Sequence, residues 1–325
     1  MGEHSAIAWT NHTFNPWVGC TKVSPGCTHC YAERDMGRRL GVPWGDGQPR
    51  RRTKESTWND PKRWDRAAAK AGRRDRVFCA SLADVFDPEV DPQWRNDLFV
   101  LIEATPNLDW LLLTKRPGLV LEQLEAIKRH WLCDGLPGLR RGNVWVGTTV
   151  EDQQRADERI PQLLAIPAAV RFLSCEPLLG PVVIPQHYLQ WSGSAAGGWY
   201  RGKIDWIIVG GESGPKARPM HPAWARSLRD QARAANVPFF FKQWGEWITT
   251  PPTPTELTRP RDLTPGPPHW PTWHGDAYGS SIGFDPPELI LRNVGKHVAG
   301  DRLDDELIQA IPTPIPARVA QESTP

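Results

Sequence analysis

Six short runs of apolar residues recur along the chain between residues 76 and 243. They are RVFCASL from Arg76, DWLLLT from Asp109, NVWVGTT from Asn143, VRFLSCE from Val170, DWIIVGG from Asp205 and VPFFFKQ from Val237. Each run is continuously apolar and does not alternate with polar residues, which is typical of strands buried on both faces of a parallel sheet. A further strand is expected in AWTNHTFNPW, just before Cys20.

Amphipathic patterns between these runs predict helices. The predicted helices begin at Asp91-Pro92, Val120, Ala156 and His221-Pro222, with two more in the gap between Cys30 and Arg76, from about Tyr31 and near 62–71. Asp91 and His221 are expected to act as N-caps, because a proline at the first helical position follows each of them. The strand starts lie roughly 30 residues apart, which is the length of one βα unit.

Alternating strands and helices predict a parallel sheet with right-handed crossovers. Seven strands favour an α/β fold of the partial (β/α) TIM-type barrel class. No G-x-G-x-x-G follows the first strand, which argues against a dinucleotide-binding fold. We expect the barrel over residues 1–250. Residues 251–325 would form an irregular Pro-rich segment and a C-terminal tail that packs on the barrel.

Polar residues follow the end of each predicted strand. Because chemistry in such barrels lies at the carboxyl-terminal ends of the strands, these residues are expected to share one rim. The candidate catalytic residues are Glu151, Glu176, Glu212 and Lys242, and the other rim residues include Ser81, Asp84, Thr114, Lys115, Gly210, Gly211 and Ser213. A helix cap explains Asp84 and Asp152 as well as function does. Function is favoured for Glu212 and Lys242, because a charge beside an apolar strand needs a partner.

Three cysteines lie within eleven residues, in the run CTKVSPGCTHC from Cys20 to Cys30. Clustered soft thiolates select iron–sulfur clusters, zinc or copper. Three alternatives remain: a 4Fe–4S cluster with one open iron, a zinc site completed by His29 or His12, and unliganded thiols. The C-x6-C-x2-C spacing favours the cluster on Cys20, Cys27 and Cys30, because structural zinc sites usually pair two C-x2-C hooks.

Composition narrows the function classes only slightly. The 325 residues carry a formal net charge of +2, which neither requires nor excludes nucleic acid, since a local patch can hide inside a balanced total. The sequence shows no secretory h-region and no apolar run of membrane-spanning length. We therefore expect a cytoplasmic protein with reduced thiols and no membrane partner.

With its three-cysteine loop after the first strand, the chain resembles the radical S-adenosylmethionine superfamily. That superfamily most often has C-x3-C-x2-C, and this chain departs from it with six residues in the first gap instead of three. The HCYAE run at residues 29–33 is similar to the sequence around the last cysteine in the spore photoproduct lyase-like branch of that superfamily. More closely, residues 7–247 resemble an uncharacterised family of phages and bacteria with a three-cysteine motif. The matching segments include WTNHTFNPWVGCTKVSPGCTHCYAE, SLADVF, LLTKRP, WVGTTVED, RFLSCEPLLGP, WIIVGGESGP and PFFFKQWG.

The resemblance implies a radical enzyme with a 4Fe–4S cluster on the three cysteines and S-adenosylmethionine on its open iron. It implies cofactor binding by Tyr31, Ser81, Asp84, Thr114, Lys115, Gly210, Gly211 and Ser213. The superfamily's glycine-rich motif after the second strand is missing, and SLAD from Ser81 stands there. A flavodoxin- or ferredoxin-like electron donor is also implied, while the substrate is open, with nucleic acid or nucleotide as one class.

The alternative function is a zinc-bearing nucleic-acid-binding protein of phage type, without radical chemistry. In this alternative, Trp17, Trp244 and Trp247 near the rim would stack bases, and Lys115, Arg116 and Lys242 would meet phosphates. Core packing is the simpler explanation for most of the seventeen tryptophans.

Overall fold

A curled sheet of eight strands forms the centre of the protein, and seven of them are parallel. The computed structural model describes residues 2–3, 5–131, 142–190, 202–250, 274–275, 281–283 and 290–313. The sheet strands are β1 (Gly2–Glu3), β2 (His12–Phe14), β5 (Asp75–Cys79), β6 (Leu108–Thr114), β7 (Val144–Thr149), β8 (Val170–Cys175), β9 (Trp206–Gly210) and β10 (Phe239–Gln243). Their order is β1-β2-β5-β6-β7-β8-β9-β10, with β1 antiparallel to β2. The seven parallel strands confirm the predicted partial β/α barrel.

Helices follow most of the strands. They are α1 (Arg38–Leu40), α2 (Glu55–Lys70), α3 (Pro92–Glu103), α4 (Val120–Trp131), α5 (Gln153–Leu164), α6 (Gln186–Leu189), α7 (Pro222–Ala234) and α8 (Lys296–Ala299), with a π-helical turn at Ala32–Gly37. The predicted caps form, since the side chain of Asp91 accepts from Gln93 N and that of His221 from Ala223 N. Helix α2 begins seven residues earlier than predicted and passes through a buried proline, Pro61.

Two smaller sheets complete the described strands. Strand β3 (Trp17–Val18) pairs with β4 (Arg51–Arg52) at the end of β2. Strands β11 (Trp247–Thr250), β12 (His274–Gly275), β13 (Ser281–Gly283) and β14 (Ile290–Asn293) form an antiparallel sheet in the order β11-β14-β13-β12. Most of the Pro-rich segment, residues 251–273, lies outside the described residues.

Alternate residues of each parallel strand face opposite sides of the sheet, as the pleat requires. One side packs against the helices, and its core includes Val77, Trp110 and Val146. The concave side is filled by aromatic rings. Trp206 lies at the centre, edge-to-face with Trp9, Trp145 and Phe240 at centroid separations of 6.1 to 6.2 Å. The inside of the half-barrel is therefore a packed core, and chemistry is confined to its ends.

The C-terminal tail covers the free edge of β10. Phe241 N donates to Ile308 O at 2.8 Å, and Ala310 N donates to Phe239 O at 3.1 Å. Leu303 is fully buried, and Trp206 Nε1 donates to Ala310 O at 2.9 Å. These contacts satisfy backbone groups that an edge strand would otherwise expose. In the described part of the chain, no helix has the length and apolar character needed to span a membrane.

Candidate functional site

The loop that carries Cys20, Cys27 and Cys30 begins where β3 ends. Gly19, at φ +114°, makes the turn, and a Cβ there would lie 3.0 Å from Arg50 Cδ. The Gly19 N–H donates to Leu82 O at 3.1 Å, which ties the start of the loop to the segment after β5. The loop is thus delivered to the carboxyl-terminal ends of the parallel strands.

A buried carboxylate after β7 holds the middle of the loop. Glu151 is fully buried, and its Oε1 accepts from Ser24 Oγ at 2.5 Å. Its other oxygen, Oε2, accepts from Arg159 Nη1 of α5 at 3.1 Å. Gly26 packs directly on this carboxylate, because a Cβ there would lie 2.5 Å from Glu151 Oε1. The structure therefore assigns Glu151 a clear role in fastening the loop.

A second carboxylate, after β9, holds the part of the loop near Cys30. Glu212 Oε2 lies 3.1 Å from His29 Nδ1, and Arg218 donates to both Glu212 oxygens, through Nε to Oε2 at 2.8 Å and Nη2 to Oε1 at 2.5 Å. Arg218 Nη2 also donates to Pro25 O at 3.0 Å. Burial alone would raise the pKa of Glu212, but the hydrogen bonds from Arg218 and His29 outweigh it and leave that pKa below its ordinary value.

The beginning of the loop is held by an arginine after β6. Arg116 Nη2 donates to Thr21 O at 2.9 Å, and its Nη1 lies 3.0 Å from Asp84 Oδ2 and 3.8 Å from Cys20 Sγ. Asp84 also accepts from Thr114 Oγ1 at 2.8 Å and from the backbone N–H of Lys115 at 3.0 Å. Burial, reinforced by Asp84, raises the pKa of the Cys20 thiol to about 12, although Arg116 acts in the opposite direction.

The hydrogen bonds of Asp84 use both of its carboxylate oxygens. Oδ1 accepts from Thr114 Oγ1 and from Phe86 N, and Oδ2 accepts from Lys115 N and Arg116 Nη1. Four donors match the four lone-pair positions of an ionised carboxylate. In this arrangement Asp84 braces the ends of β5 and β6, and its expected contact with the cofactor stays a prediction.

Glu176 and Lys242 form an ion pair between the ends of β8 and β10. Lys242 Nζ lies 2.6 Å from Glu176 Oε2, and 27% of the lysine side chain is exposed against 12% for the glutamate. The register of β10 against β9 shifts between Phe241 and Gln243, so Lys242 is the extra residue of an irregularity. Such irregularities re-aim side chains beside functional sites.

Two glycines after β9 make room for this arrangement. A Cβ at Gly210 would lie 3.1 Å from Glu176 Oε2. At Gly211 a Cβ would lie 1.8 Å from Trp244 O, which no side chain can tolerate. The Gly211 N–H donates to Gln243 O at 2.9 Å. Close packing of strand ends therefore accounts for both glycines, and their predicted role in cofactor binding stays a prediction.

The other predicted site residues lie at the same end of the sheet. Tyr31 OH donates to Ser81 O at 2.7 Å, which joins the end of the cysteine loop to the segment after β5. Lys115 Nζ lies 3.2 Å from Thr149 Oγ1 and forms no ion pair with a described carboxylate. Gln243 Nε2 donates to Ser213 Oγ at 2.9 Å.

The three loop cysteines are free thiols and are partly exposed. Among the described residues, no group of three or more Cys, His, Asp and Glu side chains is arranged to hold a metal ion. The histidines weighed as zinc ligands have other partners, since His29 bonds Glu212, and His12 lies 3.3 Å from Asp75 and stacks on Trp64. The donor set suits a thiophilic metal, while the three side chains are not gathered around one point.

The expectation that three tryptophans stack bases at the rim is wrong. Trp17 is fully buried, and only 6% of Trp244 and of Trp247 is exposed. The indole N–H of Trp244 donates to Arg302 O, and that of Trp247 donates to Ala217 O. These rings are part of the core, so no face is free for a base.

Sequence reasoning missed three residues that hold the loop: Ser24, Arg159 and Arg218. Arg159 carried a detectable signal, because it lies on the same helical face as Ala156, Ile160 and Leu163 and is 6% exposed. An arginine on the apolar face of a helix needs a buried partner. No comparable signal marked Ser24 or Arg218, whose partners lie 127 and six residues away.

Together, the fold and the site define a β/α half-barrel protein with a three-thiol loop over its mouth, the end of the sheet at which the parallel strands terminate. The chain belongs to the DUF5131 family, described as a protein of unknown function, whose family model matches residues 4–312. The expected membership of an uncharacterised family is thus confirmed. No curated protein matches the chain. One similar solved structure is a citrate lyase from Burkholderia xenovorans, with 12% identity, a TM-score of 0.25 and coverage of 67% of this chain and 69% of that chain. A likeness of this size carries no functional argument.

Proposed function

We propose that the chain is a radical S-adenosylmethionine enzyme whose 4Fe–4S cluster is held by Cys20, Cys27 and Cys30. The observation that supports this most is that one loop bears three partly exposed free thiols and is fastened to the ends of four strands. The fastening residues are Ser81 after β5, Arg116 after β6, Glu151 after β7 and Glu212 after β9. A loop that served only as a connection would not need so many side-chain partners at the mouth.

The donor chemistry of the loop fits such a cluster. Three thiolates can hold three irons and leave the fourth open to a ligand. When bound, the cluster and S-adenosylmethionine supply a one-electron route to hydrogen abstraction from a substrate. Because the thiols are not gathered in the described conformation, loading is expected to reorient the three cysteine side chains, while the contacts of Ser24 and His29 keep the loop in place.

Charged residues of the chain prepare the mouth for this chemistry. Arg116 places a cation 3.8 Å from Cys20 Sγ, which partly offsets the rise in the Cys20 pKa caused by burial and Asp84 and would stabilise the thiolate once a metal binds. Glu151 and Glu212 position the loop through Ser24 and His29. The loop, fixed in this way, would also keep bulk water away from the reacting atoms.

Glu176 and Lys242 are the pair best suited to face a substrate. Lys242 Nζ can hold a proton shared with Glu176 Oε2 at 2.6 Å and can present it at the mouth. Lys115, without an anionic partner among the described residues, would attract a carboxylate or phosphate of a bound molecule. Electrons for the cluster would come from a flavodoxin- or ferredoxin-like protein.

Cleavage of the cofactor tests this function. Protein reconstituted anaerobically with iron and sulfide, then reduced with dithionite, should release 5′-deoxyadenosine and methionine from S-adenosylmethionine. Cys27→Ala should abolish the release, whereas Cys79→Ala, which changes a buried thiol on β5, should retain it. Absence of release from protein that carries a full complement of iron and sulfide would refute the proposal.

A further inference from the structure

A strongly basic segment follows the cysteine loop. Residues 38–76 contain thirteen Lys and Arg against five Asp and Glu, a net charge of +8 in a chain whose total is +2. The rest of the chain therefore carries −6. A charge separation of this size within one protein creates a field that attracts a polyanion.

Much of this positive charge is exposed and unpaired. Seven of the cations are exposed and form no ion pair with a described carboxylate: Arg38, Arg39, Arg51, Lys54, Lys62, Arg66 and Lys70. The mouth differs, because its arginines and Lys242 each have a carboxylate partner, as in the pairs Arg116–Asp84 and Arg159–Glu151. Unpaired surface cations are free to exchange their counterions for phosphates.

These cations lie on connected elements that begin beside the cysteine loop. Arg51 pairs with Val18 in the β3–β4 ladder, two residues before Cys20, and its Nη1 donates to Leu40 O of α1 at 2.7 Å. Strand β4 leads directly into α2, and Thr53 Oγ1 ties this junction to Asn15 O at the end of β2. The basic surface therefore starts at the mouth of the barrel.

Helix α2 extends this surface along the outer wall. Lys62, Arg66 and Lys70 recur every four residues and form one exposed stripe, on the side of the helix away from the buried Trp64 and Ala68. Neighbouring cations of the stripe are about 6 Å apart along the helix axis. The phosphates of one DNA strand follow each other at about 3.4 Å along the duplex axis, so a backbone could meet each cation in turn.

The composition of the surface favours nucleic acid over a lipid surface. The exposed large apolar residues of the described chain are Val23, Tyr31, Val100, Val183, Val298 and Leu307, and none of them belongs to residues 38–76. Stable binding to a membrane surface usually needs inserted apolar side chains, which this segment does not offer. Phosphate contacts need only accessible cations.

We propose that the exposed face of residues 38–76, formed by α1, β4 and α2, binds the phosphate backbone of nucleic acid. The surface delivers the bound strand to the mouth beside Cys20, so nucleic acid is the substrate; this last assignment rests on the proposed function. Binding is independent of base sequence, because the contacts come from charge alone.

Salt-dependent binding tests the surface. The full chain is titrated into a labelled single-stranded or duplex DNA and followed by fluorescence anisotropy between about 50 and 200 mM salt. Binding should weaken linearly on a log–log plot. The double variant Lys62→Gln/Arg66→Gln should reduce the slope by about 1.4 for single strands and about 1.8 for duplex.

The matched control is Arg129→Gln/Lys296→Gln, which removes the same charge from exposed positions outside the segment. It should leave the slope unchanged, and circular dichroism should show both double variants folded. An equal effect of the two double variants would overturn the proposal, as would tighter binding to phosphatidylserine vesicles than to DNA.

Iron and sulfide are measured on the same samples, so the two proposals fail separately. Protein with a full cluster that binds no nucleic acid overturns the docking surface and leaves the radical function standing. Protein that binds nucleic acid as described but takes up no iron or sulfide keeps the surface and overturns the radical function.

Discussion

Replacement of Glu151 by glutamine should show how strongly the cysteine loop is fastened. Glu151 is fully buried and Arg159 is 6% exposed, and their side chains meet at 3.1 Å. Glutamine keeps the size of the side chain but removes the charge, which leaves a buried guanidinium without its counterion. Arg159 would retain one hydrogen bond, from Nη1 to Thr149 O at 2.7 Å.

The size of the effect follows from this geometry. Breaking a buried ion pair by removing one partner costs about 3–5 kcal/mol. Because the amide oxygen can still accept one hydrogen bond, we expect Glu151→Gln to lower the free energy of unfolding by about 3 kcal/mol, at the lower end of that range. Urea unfolding followed by tryptophan fluorescence measures the change.

The matched control is Glu158→Gln, which changes an exposed glutamate on α5, the helix that carries Arg159. It should change the free energy of unfolding by no more than about 0.5 kcal/mol. Adding Arg159→Met to Glu151→Gln should recover part of the loss, because the uncompensated charge is gone. A loss below about 1 kcal/mol for Glu151→Gln, or no recovery in the double variant, would refute the assigned pairing.

Three further changes test other parts of the structure. Gly26→Ala should cost about 1–3 kcal/mol, since its Cβ would lie 2.5 Å from the immobile Glu151 Oε1; a thermal midpoint equal to that of the unchanged protein would contradict this contact. Burial lowers the pKa of His221 to about 4 from 6.5, so the unfolded chain takes up the proton first and stability should fall as the pH drops through that window. His221→Asn, which caps without titrating, should flatten this stretch of the pH profile, and an unchanged slope would argue against the capping role. Leu303→Ala should destabilise by about 2–5 kcal/mol and the exposed Leu307→Ala by no more than about 0.5 kcal/mol; equal effects in urea unfolding would mean that the tail does not pack as described.

The parallel strands could be predicted from sequence because each is apolar on both faces. Phe172 packs among the aromatic rings of the concave side, while Leu173 packs against the helices, so neither face tolerates polar residues. Such burial leaves a continuous apolar run, and a strand of this kind can be recognised in the sequence without knowing which strand it pairs with. The shared rim followed from the same pattern, since parallel strands end on one side.

The contacts that hold the cysteine loop could not be predicted in this way. Ser24 and Glu151 are 127 residues apart, and His29 and Glu212 are 183 residues apart. A serine or a histidine in a loop is not part of a periodic pattern, so the sequence does not indicate which residue it will bind. The start of α2 was misplaced for a related reason, because burial of Trp58 and Pro61 on one face sustains the helix through a proline.

The most direct test of the proposed function is the metal content of anaerobically purified protein and of its single cysteine variants. The unchanged protein should contain iron and acid-labile sulfide in equal amounts and should show visible charge-transfer absorption. Cys20→Ala, Cys27→Ala and Cys30→Ala should each lose both, while Cys79→Ala keeps them. Stoichiometric zinc without sulfide, or a cluster that survives in any of these three loop variants, would contradict the account.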